Sequence, residues 1–142
     1  MAKKEINTSI NISASAQKVW SILTNFDDYE NWNPFIKSIR GNVSQGQKID
    51  VELDGMKFKP EVLVFEKEKE FRWKGALLFK GLFDGEHSFH IIDNGDGSVR
   101  FEHNEKFSGI LVGLFAKKLD GETTDGFIAM NQALKEMAES SI

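Results

Sequence analysis

Ile6, Thr8, Ile10 and Ile12 alternate with more polar neighbours, so residues 4–12 are predicted as a strand with one buried face. Ser13 and Ser15 then offer helix N-caps, and Val19, Trp20, Ile22 and Leu23 have the spacing of a short amphipathic helix. A second helical turn is expected around Asp27–Glu30. Pro34 ends it, because the residue before a proline is pushed out of the helical region. From residue 36 to 108 the signals are strands and hairpins. Ile49, Val51 and Leu53 alternate with acidic residues, and Asp54-Gly55 is a two-residue hairpin signal. Phe58 to Phe65 reads as the next strand, with a charged turn over Glu66–Glu70. Phe71, Trp73 and Gly75 form another alternation, Leu82 to Ile92 a longer strand, and Asn94 to Gly97 a turn. Val99, Phe101, His103, Glu105 and Phe107 complete the strands.

After residue 111 the period changes. Phe115, Leu119, Phe127, Met130, Leu134 and Met137 recur at helical steps or their multiples, which predicts a long amphipathic helix to about Ser140. Gly121 and Gly126 are expected to loosen or kink its first half. The order is strand, two short helices, a meander of strands and one long helix. That is an α+β domain, one unit over residues 1–142, with one antiparallel sheet of about seven strands and helices on one side.

Composition narrows the function classes. The net charge is −4 and no basic run is longer than the pair Lys3-Lys4, which argues against nucleic-acid binding and against a polybasic membrane anchor. Cysteine is absent, so disulfides, thiolate nucleophiles and Cys-ligated zinc are excluded. No apolar signal region or eighteen-residue apolar stretch occurs, and the cytoplasm is the expected compartment. Phenylalanine numbers 12 against a single tyrosine, the composition of a greasy core or a greasy cavity. Neither a glycine-rich phosphate loop nor a nucleophile elbow is found; the segment 75–85, GALLFKGLFDG, has glycines without the Lys-Ser/Thr ending.

The segment INISASAQKVWSILTNFDDYENWNPFIKSIRG resembles the opening of the START-like superfamily, also called SRPBCC, which includes polyketide cyclases/dehydrases and lipid-transport proteins. FRWKG and GEHSFHI resemble its central strands, and HNEKFSG its last strand before the helix. The resemblance covers nearly the whole chain. It implies a helix-grip fold, in which a strongly curved antiparallel sheet wraps a long C-terminal helix and leaves a cavity between them.

In such a fold, strand parity decides which side chains share the concave face. His87 and Phe89 then point together, as do His103, Glu105 and Phe107, and Trp73 joins them. With Phe58, Phe127 and Met130 these residues are expected to contact a ligand. Trp32 and Phe35, flanking Pro34 in NWNPF, pose a narrower question: wall of the cavity, or hydrophobic plug. At least one is predicted to be wall. Glu105 is read either as a polar contact for an otherwise hydrophobic ligand or as a structural partner of His87 or His103. No metal site is predicted, since His87 and His90 lie on opposite faces of a strand, and no cofactor is implied.

Three functions follow from the resemblance. The first is binding of a small hydrophobic molecule (lipid, aromatic or polyketide-like) in the sheet–helix cavity. The second is a cyclase- or dehydratase-like enzyme with Glu105, His87 or His103 as general acid/base. The third is protein-partner binding, as in chaperone activators of the Aha type. A monomer or a homodimer fits each of them.

Overall fold

The alternation seen in the sequence becomes strand because every second side chain has an apolar side to join. In the computed structural model, which describes residues 3–53, 55–76 and 83–140, β1 (Lys3–Ile12) buries Ile6 and Ile12. Ser15 caps α1 (Ala16–Leu23) by accepting from the Lys18 N–H. A 3₁₀ turn at Phe26–Asp28 leads into α2 (Tyr29–Trp32). The buried Tyr29 hydroxyl donates to the Leu23 carbonyl and ties this turn to the end of α1. Tyr29→Phe leaves that carbonyl without a partner and is expected to lower stability by about 1 kcal/mol; chemical denaturation would show a smaller midpoint at unchanged slope.

The strands that follow form two sheets rather than the single sheet expected. β2 (Ile36–Arg40), β3 (Asp50–Leu53) and β4 (Met56–Phe58) make a three-stranded sheet in the order β2-β3-β4. β5 (Glu61–Glu66), β6 (Glu70–Ala76), β7 (Asp84–Asp93) and β8 (Val99–Ser108) join β1 in a curved, antiparallel, five-stranded sheet ordered β1-β8-β7-β6-β5. The predicted strand from Phe58 to Phe65 is therefore two strands in two sheets. Pro60 divides them, because it lacks the N–H that a continuous ladder needs. The sheets stay connected through backbone bonds from Ile49 to Pro60 (3.0 Å) and from Val62 to Gln47 (2.9 Å). Gly75 on β6 is where Pro60 approaches: a Cβ there would lie 3.0 Å from the Pro60 Cα, so glycine is what lets the chain cross at this point.

The C-terminal helix begins as α3 (Val112–Lys118), widens into one π-helical stretch at Leu119–Thr123, and continues as α4 (Thr124–Glu139). The loosened first half foreseen at the glycines is this wide turn, where Thr124 Oγ1 donates to the Leu119 carbonyl at 2.6 Å. Phe127, Met130, Asn131 and Leu134 of α4 are buried against the sheet. Gly126 permits a close approach. A Cβ there would sit 2.5 Å from Cδ1 of Phe35, so the ring of Phe35 rests directly on the helix backbone. Asp54 of the expected hairpin turn, Leu82 at the start of the expected long strand, and residues 77–82 of the glycine-bearing segment lie outside the described residues.

Candidate functional site

Cross-strand register brings the polar residues of the concave face together. Trp73 on β6 faces His87 on β7, His87 faces Glu105 on β8, and Phe89 faces His103. On the other flank Thr8 of β1 pairs with His103. The result is a continuous hydrogen-bonded chain through the interior. Glu105 Oε1 lies 3.0 Å from His87 Nδ1, and His87 Nε2 lies 2.7 Å from His103 Nε2. His103 Nδ1 is 3.0 Å from Asn131 Oδ1 of α4. Asn131 Nδ2 donates to Thr8 Oγ1 at 2.9 Å, and the Thr8 hydroxyl donates to the His103 carbonyl at 2.7 Å.

Aromatic rings enclose this chain. Trp73 stacks on His87 with centroids 4.7 Å apart, and Phe127 stacks on His103 at 4.0 Å. The His87 and Glu105 side chains are 1% and 8% exposed. A full charge on either is strongly disfavoured in such surroundings. Burial pushes the Glu105 carboxyl up to about 8 and the His87 imidazolium down to about 3. His103 is held well below the ordinary histidine range, by burial first and by the neighbouring His87 second. At neutral pH the pair is therefore a carboxylic acid donating to a neutral imidazole, although its spacing is that of an ion pair.

Glu105 also belongs to a second environment. A cavity of about 100 Å³ lies between the sheets and the C-terminal helix, walled by Phe35, Leu53, Met56, Phe58, Phe83, Phe107, Phe115 and Leu119, with Glu105, Lys118 and Thr123 as its polar members. The two sheets and the helix each supply part of this wall. The NWNPF segment is shaped for it. Asn33 Oδ1 accepts from the N–H groups of Phe35 (2.9 Å) and Ile36 (2.8 Å), a tight turn over Pro34 that turns Phe35 inward. Phe35 is wall. Trp32 is not; it packs edge-on against Tyr29 with centroids 5.3 Å apart.

Of the residues expected at a ligand, Phe35, Phe58, Glu105 and Phe107 line the cavity. Trp73, His87, Phe89, His103, Phe127 and Met130 are buried beyond it, in the core that supports Glu105. Two members of the hydrogen-bonded chain, Asn131 and Thr8, were not among the residues expected from sequence. Asn131 follows Phe127 by four residues and Thr8 lies between Ile6 and Ile10, so spacing places both on buried faces. The wall residue Met56 carried no such signal. Among the described residues no cluster of three or more His, Asp or Glu could hold a metal ion.

A curved sheet gripping a helix, with an apolar cavity and one buried acid, defines a helix-grip protein of the START-like superfamily. Residues 3–139 match the family "Polyketide cyclase / dehydrase and lipid transport", and the chain belongs to it. A hypothetical protein from Helicobacter pylori superposes with a TM-score of 0.81 at 19% identity, over 96% of this chain and 88% of that one. A START superfamily protein from Mycobacterium smegmatis gives 0.68 at 23% identity, over 95% and 97%. The Zhui aromatase/cyclase from Streptomyces sp. R1128 gives 0.75 at 11% identity, over 97% and 94%. At these identities the structural likeness establishes the fold alone. No curated protein sequence matches the chain. Among the described residues no helix is long and apolar enough to cross a membrane.

Proposed function

We propose that this protein binds a small hydrophobic ligand in the cavity between sheets and helix, with the ligand's polar end against Glu105. The observation that carries the reading is the wall itself: eight apolar side chains around one buried glutamate, Glu105, that is 7% exposed. An apolar cavity of about 150 Å³ is enough for a benzene-sized guest. At about 100 Å³ this one is smaller, so a single-ring guest requires a modest outward shift of the wall side chains. Larger guests of the lipid or polyketide-like kind require the phenylalanines to rotate outward.

A second reading, an enzyme of the cyclase or dehydratase kind, draws support from the chain behind Glu105. A carboxyl with its affinity for protons raised to about 8 is a stronger base than an ordinary carboxylate, as suits a general base. Turnover needs a reactive ligand group at Glu105, so this reading includes the first.

Native mass spectrometry of the purified protein tests the binding reading. The protein is expected to carry, or take up from a toluene-saturated buffer, a small apolar compound. Leu53→Phe, which fills the cavity from β3, is expected to weaken uptake at least tenfold, since the added ring occupies the guest's volume. Uptake unchanged in the filled variant would sink the proposal. Gly75 is unsuited to this purpose because its open side meets Pro60.

A further inference from the structure

The direction of the hydrogen bonds behind Glu105 fixes what this residue offers to the cavity. The single hydroxyl proton of Thr8 goes to the His103 carbonyl, so Thr8 Oγ1 can only accept from Asn131, and it does so from the amide nitrogen. Asn131 therefore turns its oxygen to His103 Nδ1, which must carry a hydrogen. His103 Nε2 is then a lone pair, and the hydrogen between the two rings belongs to His87 Nε2. The remaining hydrogen lies on the line between His87 Nδ1 and Glu105 Oε1. Whether it rests on nitrogen or on oxygen, it is directed away from the cavity.

The other carboxyl oxygen, Oε2, consequently has no hydrogen to give. It makes no hydrogen bond to any described residue, and Glu105 stands in the cavity wall. Building on the hydrophobic-ligand reading above, we propose that the cavity selects ligands whose buried end is a hydrogen-bond donor, a phenol, alcohol or amine N–H, over ligands ending in a carbonyl or ether. For Glu105 to donate instead, its hydrogen must leave His87, and Nδ1 is then unpaired in the core. Lys118 and Thr123, the other polar wall residues, come from the helix.

Isothermal titration at pH 6.5 with phenol, toluene and benzaldehyde tests this, using three single-ring probes of similar size that differ in one substituent. Phenol is expected to bind the unaltered protein about tenfold more tightly than benzaldehyde, the usual scale for a matched against an unmatched buried polar group. Glu105→Gln preserves a donor toward His87 and a carbonyl toward the cavity, and is expected to keep that preference. Glu105→Met removes the acceptor and is expected to lower the phenol-to-toluene affinity ratio about tenfold while toluene still binds. Benzaldehyde binding as tightly as phenol overturns the proposal, as does loss of the phenol preference in Glu105→Gln. Toluene binding without any such preference removes the donor rule and leaves the hydrophobic-ligand reading standing. No binding of any of the three removes both. The comparison in the unaltered protein decides the matter even if Glu105→Met does not fold.

Discussion

Asn131→Leu is expected to destabilise the fold by about 3 kcal/mol, although it places a better apolar side chain at a position that is 2% exposed. Leucine has the branching of asparagine and a larger volume, so the cost does not come from a cavity. It comes from bonds lost around the helix: there His103 keeps only its bond to the Phe127 backbone, and the Thr8 hydroxyl, which still donates to the His103 carbonyl, loses the donor it accepts from. Each unpaired buried polar group costs about 1–3 kcal/mol. The effect propagates further, because a His103 without Asn131 is free to place its hydrogen on Nε2 and collide with the one His87 already presents there. Urea unfolding at constant slope measures the loss through the shift in midpoint. A loss under about 1 kcal/mol, the low end for one unpaired group, would show that the helix end of the chain does not hold it in place.

Stability is also expected to peak near pH 6.5 and to fall by about 1 kcal/mol by pH 8. Glu105 titrates at its ordinary 4.5 in the unfolded chain and at about 8 in the folded one. Between those values the folded state keeps a proton that the unfolded state has lost, so stability declines as pH rises. His87 acts in the opposite sense: its ordinary value of 6.5 drops to about 3, so stability rises with pH over that interval and is fully gained above 6.5. His103 shifts in the same direction as His87. From 4.5 to 6.5 two histidines outweigh one carboxyl, and stability climbs. Above 6.5 the histidine contribution levels off and Glu105 takes over, at about 1.4 kcal/mol per pH unit at most. The groups facing it are His87 and, across the cavity, Lys118. Glu105→Gln, which does not titrate, is expected to abolish the alkaline decline. Unfolding midpoints at about pH 6.5 and pH 8 for both proteins provide the check, and an equal decline in the variant would assign it to other groups.

Much of this site could be read from residue order. Alternation along residues 87–91 and 101–107 placed His87, His103 and Glu105 on one concave face, because side-chain direction in a strand depends only on parity. Register then decided which of them touch, and a single chain does not display register. The expected strand from Phe58 to Phe65 failed at Pro60, which cannot donate to a ladder and divides the segment between two sheets. Asn131 was passed over because a polar residue inside an apolar helical stripe gives no sign of its partners, which lie 28 residues away at His103 and 123 residues away at Thr8. The NWNPF segment separated into its parts once the Asn33 turn was visible: Phe35 belongs to the cavity and Trp32 to the packing of α2.

The division into two sheets has a consequence for how occupancy and cohesion depend on each other. Leu53, Met56 and Phe58 contribute to the cavity from the smaller sheet, Glu105 and Phe107 from the larger. A guest touching both completes an interface that the backbone bonds around Pro60 begin. By mass action, a ligand at about a hundred times its dissociation constant adds about 2.7 kcal/mol to the folded state. On the ligand-binding reading proposed above, the guest's contacts would span both sheets, so filling the cavity would also hold the two sheets together.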